Sequence, residues 1–143
     1  VPLLFQLRFN QASTMVFPKG FQNAFYQLFF REHYKPLVYG LNAKEIADIR
    51  NYAIVILYGA GNVGREIAEI LAKQHIDDFV FAVTDKKEEK KIGGVPIYDI
   101  HELLPLKQEA LVLITVSKIY QQEIYDTLKK LQFKNVKTIV RQE

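Results

Sequence analysis

The stretch Ile54–Leu71, IVILYGAGNVGREIAEIL, constrains the fold more than any other part of the chain. Ile54 to Tyr58 form a short apolar run rich in β-branched residues, as in a strand buried on both faces. Gly59-Ala60-Gly61-Asn62-Val63-Gly64 follows, a G-x-G-x-x-G placed where a strand must hand over to a helix. The periodicity then changes. Val63, Ile67, Ile70 and Leu71 recur at helical spacing, with Arg65, Glu66, Glu69 and Lys73 on the other face. Each glycine has its own expected task. Gly59 turns the chain out of the strand, Gly61 lets a pyrophosphate approach the backbone, and Gly64 lets the helix pack closely on the strand. The first N–H groups of that helix and its dipole favour an anion there.

The rest of the chain alternates around this unit. Phe79–Val83 reads as a second strand closed by Thr84-Asp85, and Lys86–Lys91 (KKEEKK) as a solvated loop. Gly93-Gly94 is a turn before a short strand to Tyr98, in which Pro96 implies an edge or terminal place. Asp99 is expected to cap a short helix from His101 to Leu104. Ala110–Val116 reads as a third buried strand, and Ser117 as the cap of a helix with an apolar face of Ile119, Ile124, Leu128 and Leu131. Val136–Val140 is the last strand. This order predicts an α/β fold: a Rossmann-like, doubly wound parallel sheet of about five strands. Its glycine turn then lies at the carboxyl edge, near the switch point.

Residues 1–50 read as an N-terminal arm and helical extension, and 51–143 as the Rossmann-like domain. Phe21–Tyr34 is expected to form a strongly aromatic helix, ended at Lys35-Pro36, that packs on the domain or on a second copy of it. That face makes a homo-oligomer the expected assembly. Asn42, with Glu45 three residues on, opens a second short helix whose apolar positions are Ile46 and Ile49. The only methionine is Met15. The chain is therefore expected to be an excised domain, or to carry vector-derived or upstream sequence in its first fourteen residues.

Composition narrows the functional classes. A net charge of +3 is mild, and no basic face accompanies a known nucleic-acid motif, so no nucleic-acid partner is expected. The absence of cysteine removes disulfides, thiolate metal sites and a cysteine nucleophile, and fits a cytoplasmic home. No run is long and apolar enough to suggest a membrane span.

The candidate binding residues are Gly59, Gly61, Asn62, Val63, Gly64, Asp85 and Ser117. Asp85, 21 residues beyond Gly64, stands where an acidic side chain meets the ribose hydroxyls of a dinucleotide, or serves only as a turn aspartate. Lys86 and Lys87 could meet a phosphate, but Asp85 beside them favours an unphosphorylated ribose. The end of the third buried strand, Thr115-Val116-Ser117, could line the same cleft, although capping alone also accounts for Ser117. Arg65 could clamp a phosphate or pair with Glu69 one turn away. Tyr125 and Lys129 form a Y-x-x-x-K pair of the kind short-chain dehydrogenases use, at a frequency chance explains. His33, His75 and His101 lie on separate elements without ligand spacing. No catalytic residue and no metal site is expected, nor a complete active site.

The segments YGAGNVGREIAEIL, FAVTDK, IGGVPIY and ALVLITVS, with the closing helix, resemble small Rossmann-like domains of bacterial surface-glycan biosynthesis. The similarity is to the N-terminal domain of sugar acyltransferases and to accessory domains of polysaccharide glycosyltransferases and nucleotide-sugar dehydratases, over about residues 52–141. It implies a nucleotide or nucleotide-sugar module of a polysaccharide-synthesis protein, with Gly59, Gly61, Gly64 and Asp85 at the pocket. The chain departs from the acyltransferases in lacking their β-helix and in placing Val63 where they often carry a histidine. NAD or a nucleotide-sugar is thus the expected ligand. An NAD-dependent oxidoreductase domain and a ligand-free structural or dimerisation domain are the alternatives.

Overall fold

The computed structural model describes residues 35–84 and 91–141. The segments 1–34 and 85–90, and with them the expected aromatic helix Phe21–Tyr34 and Asp85, lie outside the described residues. The elements run α1 (Lys35–Val38), α2 (Ala43–Arg50), β1 (Val55–Tyr58), α3 (Asn62–Lys73), β2 (Phe79–Val83), β3 (Lys91–Ile92) and β4 (Val95–Asp99). A 3-10 helix (Ile100–Leu106), β5 (Leu111–Ile114), α4 (Lys118–Lys130) and β6 (Asn135–Thr138) complete the chain.

The strand order is β3-β4-β2-β1-β5-β6. All neighbours are parallel except β3, which pairs antiparallel with β4. β1 is central, with Val55 opposite Phe79 on one side and Leu111 on the other. The direction of strand addition reverses there, so the gap between β1 and β5 is the switch point of a doubly wound sheet.

The continuous apolar runs are explained by two covered faces. Val55 and Leu57 of β1, Phe81 of β2, and Leu111 and Leu113 of β5 pack with Ile46 and Ile49 of α2 and Ile67, Ile70 and Leu71 of α3. Their alternates Ile56, Tyr58, Ala82, Val112 and Ile114 face the other way, onto Ile100 and Leu103 of the 3-10 helix and Leu128 of α4. Each fully buried aliphatic or aromatic side chain of this kind contributes about 1.5–3 kcal/mol. Tyr39 and Leu41 are buried in the first of these clusters, so the chain just before α2 is part of the core.

The sheet has one strand more than expected. Lys91, assigned to the loop by its sequence, and Ile92 form a hairpin with β4 through Gly93 and Gly94, at φ +56° and +83°. Two successive positive φ values suit the type I′ turn that matches strand twist. Pro96 pairs toward β3, and the ladder to β2 begins only at Ile97, so its missing N–H removes no bond from the parallel sheet. The helix after Asp99 is a 3-10 helix and runs to Leu106. Its capping box is complete: the Asp99 side chain accepts from the Glu102 backbone N–H, and the Glu102 side chain accepts from the Asp99 N–H at 2.9 Å; Asp99 also accepts from the His101 N–H at 2.8 Å.

Two expected side-chain roles differ in the structure. Ile119 does not join the apolar face of α4; it is 81% exposed in the first turn, while Leu128 is buried. Ser117 stands at the N-cap of α4, but its side chain makes no capping bond. Asn42 does cap α2, its Oδ1 accepting from the Glu45 N–H at 2.9 Å. The Glu45 side chain turns away from the cap to pair with Lys137 of β6.

Candidate nucleotide-binding site

The end of β1 is held on both sides before the chain turns. The Gly59 N–H donates to the Ala82 carbonyl at 2.9 Å and the Thr115 N–H to the Tyr58 carbonyl at 3.0 Å. The Tyr58 and Thr84 hydroxyls are hydrogen-bonded, which ties the ends of β1 and β2 together. Gly59 then adopts φ +122°, a backbone region that side chains rarely enter.

Gly61 and Gly64 differ in what surrounds them. A Cβ on Gly64 would sit 2.0 Å from the Gly59 carbonyl oxygen, so the helix can approach the turn this closely only without a side chain. A Cβ on Gly61 would meet nothing within 4 Å. Gly61 is the N-cap of α3, in extended conformation, and no side chain caps the helix. Among the described residues no N-cap side chain accepts from the first N–H groups of α3, the arrangement that leaves them available to an anion.

The local charge agrees. Neither α3 nor α4 has an acidic residue in its first turn. Instead Arg65 and Lys118 stand at the two N-terminal ends, where the helix dipole disfavours a cation by roughly 0.3–1 kcal/mol at the surface. An anion bound between the strand ends would offset that cost. The Arg65 Nε donates to the Ala60 carbonyl at 3.3 Å, bracing the turn, while Glu69 pairs with Lys73 at 3.3 Å.

The remaining candidates fall around this turn. Asn62 is exposed at the start of α3. Val63 is half-buried and packs against the core, so it can offer the site only its backbone. Ser117 is exposed at the carboxyl end of β5, across the switch point from the glycines. The structure thus gathers Gly59, Gly61, Asn62, Val63, Gly64 and Ser117 along one sheet edge; Asp85 follows Thr84 outside the described residues.

Two residues escaped the sequence reading. Thr115 was a lining candidate through its backbone alone; its hydroxyl is turned inward and donates to the Tyr58 and Gly59 carbonyls at 3.0 and 3.1 Å. Gln121 looked like an ordinary helix-surface residue. Its Nε2 donates to the carbonyls of Val116 and Ile139, both at 3.2 Å, joining the loops after β5 and β6. A hydroxyl at the end of an otherwise apolar strand was the only signal for the first, and the second left none.

A separate groove of about 390 Å³ lies at the opposite edge, lined in part by Glu45, Asp48, Tyr52, Lys134 and Lys137. Leu111 and Asn135, the first residues of β5 and β6, place it at the amino ends of the strands. Burial holds Lys137 below the ordinary lysine range there, despite its Glu45 partner. Among the described residues no cluster of three or more His, Asp or Glu side chains could hold a metal, and no helix is long and apolar enough to cross a membrane.

Comparison with known proteins identifies the domain. The redox-sensing transcriptional repressor Rex of Bacillus velezensis is 31% identical over 86 residues, covering 57% of this chain and 40% of the relative. The same repressor from Bacillus subtilis is 29% identical over 86 residues, with the same coverage. The chain therefore spans less than half the length of these curated relatives. The crystal structure of RSP, a Rex-family repressor, superposes with a TM-score of 0.51 at 20% identity, covering 68% of this chain and 49% of that one. At that identity it establishes the shared fold.

These relatives correct two expectations. The placement in polysaccharide or surface-glycan synthesis does not stand, because the similar proteins are transcriptional repressors. The segments that suggested it, YGAGNVGREIAEIL above all, encode the strand–turn–helix geometry just described, which any Rossmann-like domain needs. The exclusion of nucleic acid also falls, since repressors of transcription are among the relatives. It rested on a net charge of +3, and a mild net charge alone does not exclude a nucleic-acid partner. The pattern of the CoA binding domain family matches residues 51–141, and the chain belongs to that family.

Proposed function

We propose that this chain binds NAD(H) at the Gly59–Gly64 turn and serves as the nucleotide-responsive part of a redox-sensing regulator. The observation that carries the reading is the α3 N-terminus, which no side chain caps and whose N-cap Gly61 has room for a Cβ with nothing within 4 Å. The pyrophosphate lies there, accepting from the first N–H groups of α3. Residues 51–143 form the binding unit, and Asp85, two positions beyond β2 in sequence, takes the adenosine ribose hydroxyls. Ser117 lies on the far side of the switch point, where the second nucleoside extends. The relatives' role in redox sensing supports NAD(H) over a nucleotide-sugar.

A sensor must bind its two ligand forms unequally, because a ligand with equal affinity for both states shifts nothing. The nicotinamide ring is cationic in the oxidised form and neutral in the reduced form. Two helix N-termini together with Arg65 and Lys118 disfavour the cationic ring, so the reduced form binds more tightly.

The family match favours coenzyme A as a second reading, since it too carries an adenosine diphosphate. Calorimetric titration with NADH, NAD, NADP and coenzyme A separates the two. Tighter binding of NADH than of NAD supports the redox reading. Coenzyme A binding with no response to either NAD form replaces it with the second, and silence from all four removes both.

A further inference from the structure

Thr115 is a buried polar side chain, 5% exposed, with its hydroxyl among otherwise apolar neighbours of β5. It stands immediately after β5, beside the end of β1. Its backbone N–H already donates to the Tyr58 carbonyl at 3.0 Å. The hydroxyl then reaches across to both the Tyr58 and Gly59 carbonyls. One hydroxyl has a single proton, so these two bonds share it. The Tyr58 carbonyl keeps its partner without the hydroxyl. The Gly59 carbonyl has that hydroxyl as its hydrogen-bond partner among the described residues.

The Gly59 carbonyl is also the atom that limits the approach of α3. A Cβ on Gly64 would strike it first and the Thr115 Oγ1 next, at 3.1 Å. A Cβ on Gly59 would strike the Thr115 Oγ1 at 2.8 Å. The hydroxyl is therefore wedged between the first and third glycines, and it fixes the orientation of the peptide that begins the turn. The uncapped N–H groups of α3 follow within four residues. A rotation of the Gly59 peptide would change where they point.

We propose that Thr115 is a positioning residue for the anion site. Through the Gly59 carbonyl it sets the turn so that the α3 N-terminus is aimed at the phosphate position. It does not touch the ligand, because its hydroxyl faces the protein. This inference rests on the nucleotide reading of the glycine turn. A buried hydroxyl here supplies direction more than strength, since a net hydrogen bond stabilises by only about 1 kcal/mol whereas an unsatisfied buried carbonyl costs roughly 1–3.

The test compares wild-type protein with Thr115→Val and Thr115→Ser. Each is measured by NADH titration and by thermal melting without ligand. Valine keeps the volume and removes the hydroxyl; serine keeps the hydroxyl and removes a methyl. The expected result is roughly tenfold weaker NADH binding by Thr115→Val and near-wild-type affinity for Thr115→Ser. Serine is expected to restore affinity even though losing the methyl lowers its melting temperature. Unchanged affinity in Thr115→Val overturns the inference and leaves the nucleotide reading intact. Should Thr115→Val fail to fold, weak binding by a folded Thr115→Ser overturns it equally. Wild-type protein that binds neither NADH nor ADP removes the nucleotide reading, and this inference with it.

Discussion

Gly64→Ala tests the packing of the turn in isolation from any ligand. The added Cβ would lie 2.0 Å from the Gly59 carbonyl oxygen and 3.1 Å from the Gly59 carbonyl carbon. Ordinary contact begins near 3.4 Å, so α3 and the turn must separate by more than about 1 Å. The obstacle is backbone, which cannot swing aside as a side chain would. Overpacking of this sort costs typically 1–3 kcal/mol, and a rigid neighbour places it at the upper end. Alanine recovers up to about 1 kcal/mol over glycine in a helix. The net loss is about 2 kcal/mol, which for a chain of 143 residues lowers the melting temperature by roughly 6–8 °C. Gly61→Ala is the control. Its Cβ meets nothing, and its extended backbone accepts alanine. The poorer N-cap and the less flexible unfolded chain offset each other to within about 0.5 kcal/mol. Circular dichroism melts of both variants give the answer. A Gly64→Ala melt within about 2 °C of wild type would refute the steric argument.

Other outcomes follow from the same geometry. Asn42→Ala should lower stability by about 1 kcal/mol in denaturant titration, because its cap bond is made, whereas Ser117→Ala should change it by less than about 0.5. Asp85→Ala should weaken NADH binding by about tenfold while leaving the melting temperature near wild type; equal affinity would remove the aspartate from the site. Lys137 titrates below 10.5 in the folded protein because burial penalises its charge. Between its folded and unfolded values the unfolded chain binds more protons, so this group's contribution to stability rises with pH. The denaturant midpoint of wild type relative to Lys137→Met should therefore rise through the alkaline window below 10.5, and a relative fall would reverse the sign.

Much of this architecture was legible because the core is encoded by strong local signals. β1 and β5 are apolar runs with both faces covered, and α3 carries a clear stripe of Ile67, Ile70 and Leu71. The three glycines likewise announce the turn, since Gly59 and Gly64 are demanded by conformation and contact. What escaped depends on long-range placement. The sequence around Lys91 looks like loop because a two-residue strand has no periodicity, and only its pairing with β4 makes it a strand. Ile119 fits the helical stripe by spacing, yet it stands in the first turn of α4 and is exposed. Ser117 is an ideal capping residue by type, but its side chain makes no bond to the helix. Glu45 was half of a capping box until β6 brought Lys137 beside it. The inward turn of Thr115 could not be read either, since its acceptors come from β1, 56 and 57 positions away. The geometry of the glycine turn was legible in the sequence. The wider role was not, because the glycine motif records how a strand meets a helix and carries no trace of the protein that uses it.

The central claim is that the α3 N-terminus is where the nucleotide binds. Backbone amide NMR of the intact chain, recorded as NADH is added, tests it most directly. The account predicts that the largest shifts fall on the amides of Gly61, Asn62, Val63 and Gly64, and that Gly61→Ala, whose Cβ occupies the same space, abolishes them without unfolding the protein. Shifts centred instead on Tyr52, Lys134 and Lys137 in the groove at the opposite edge, with the glycine amides unmoved, would contradict it.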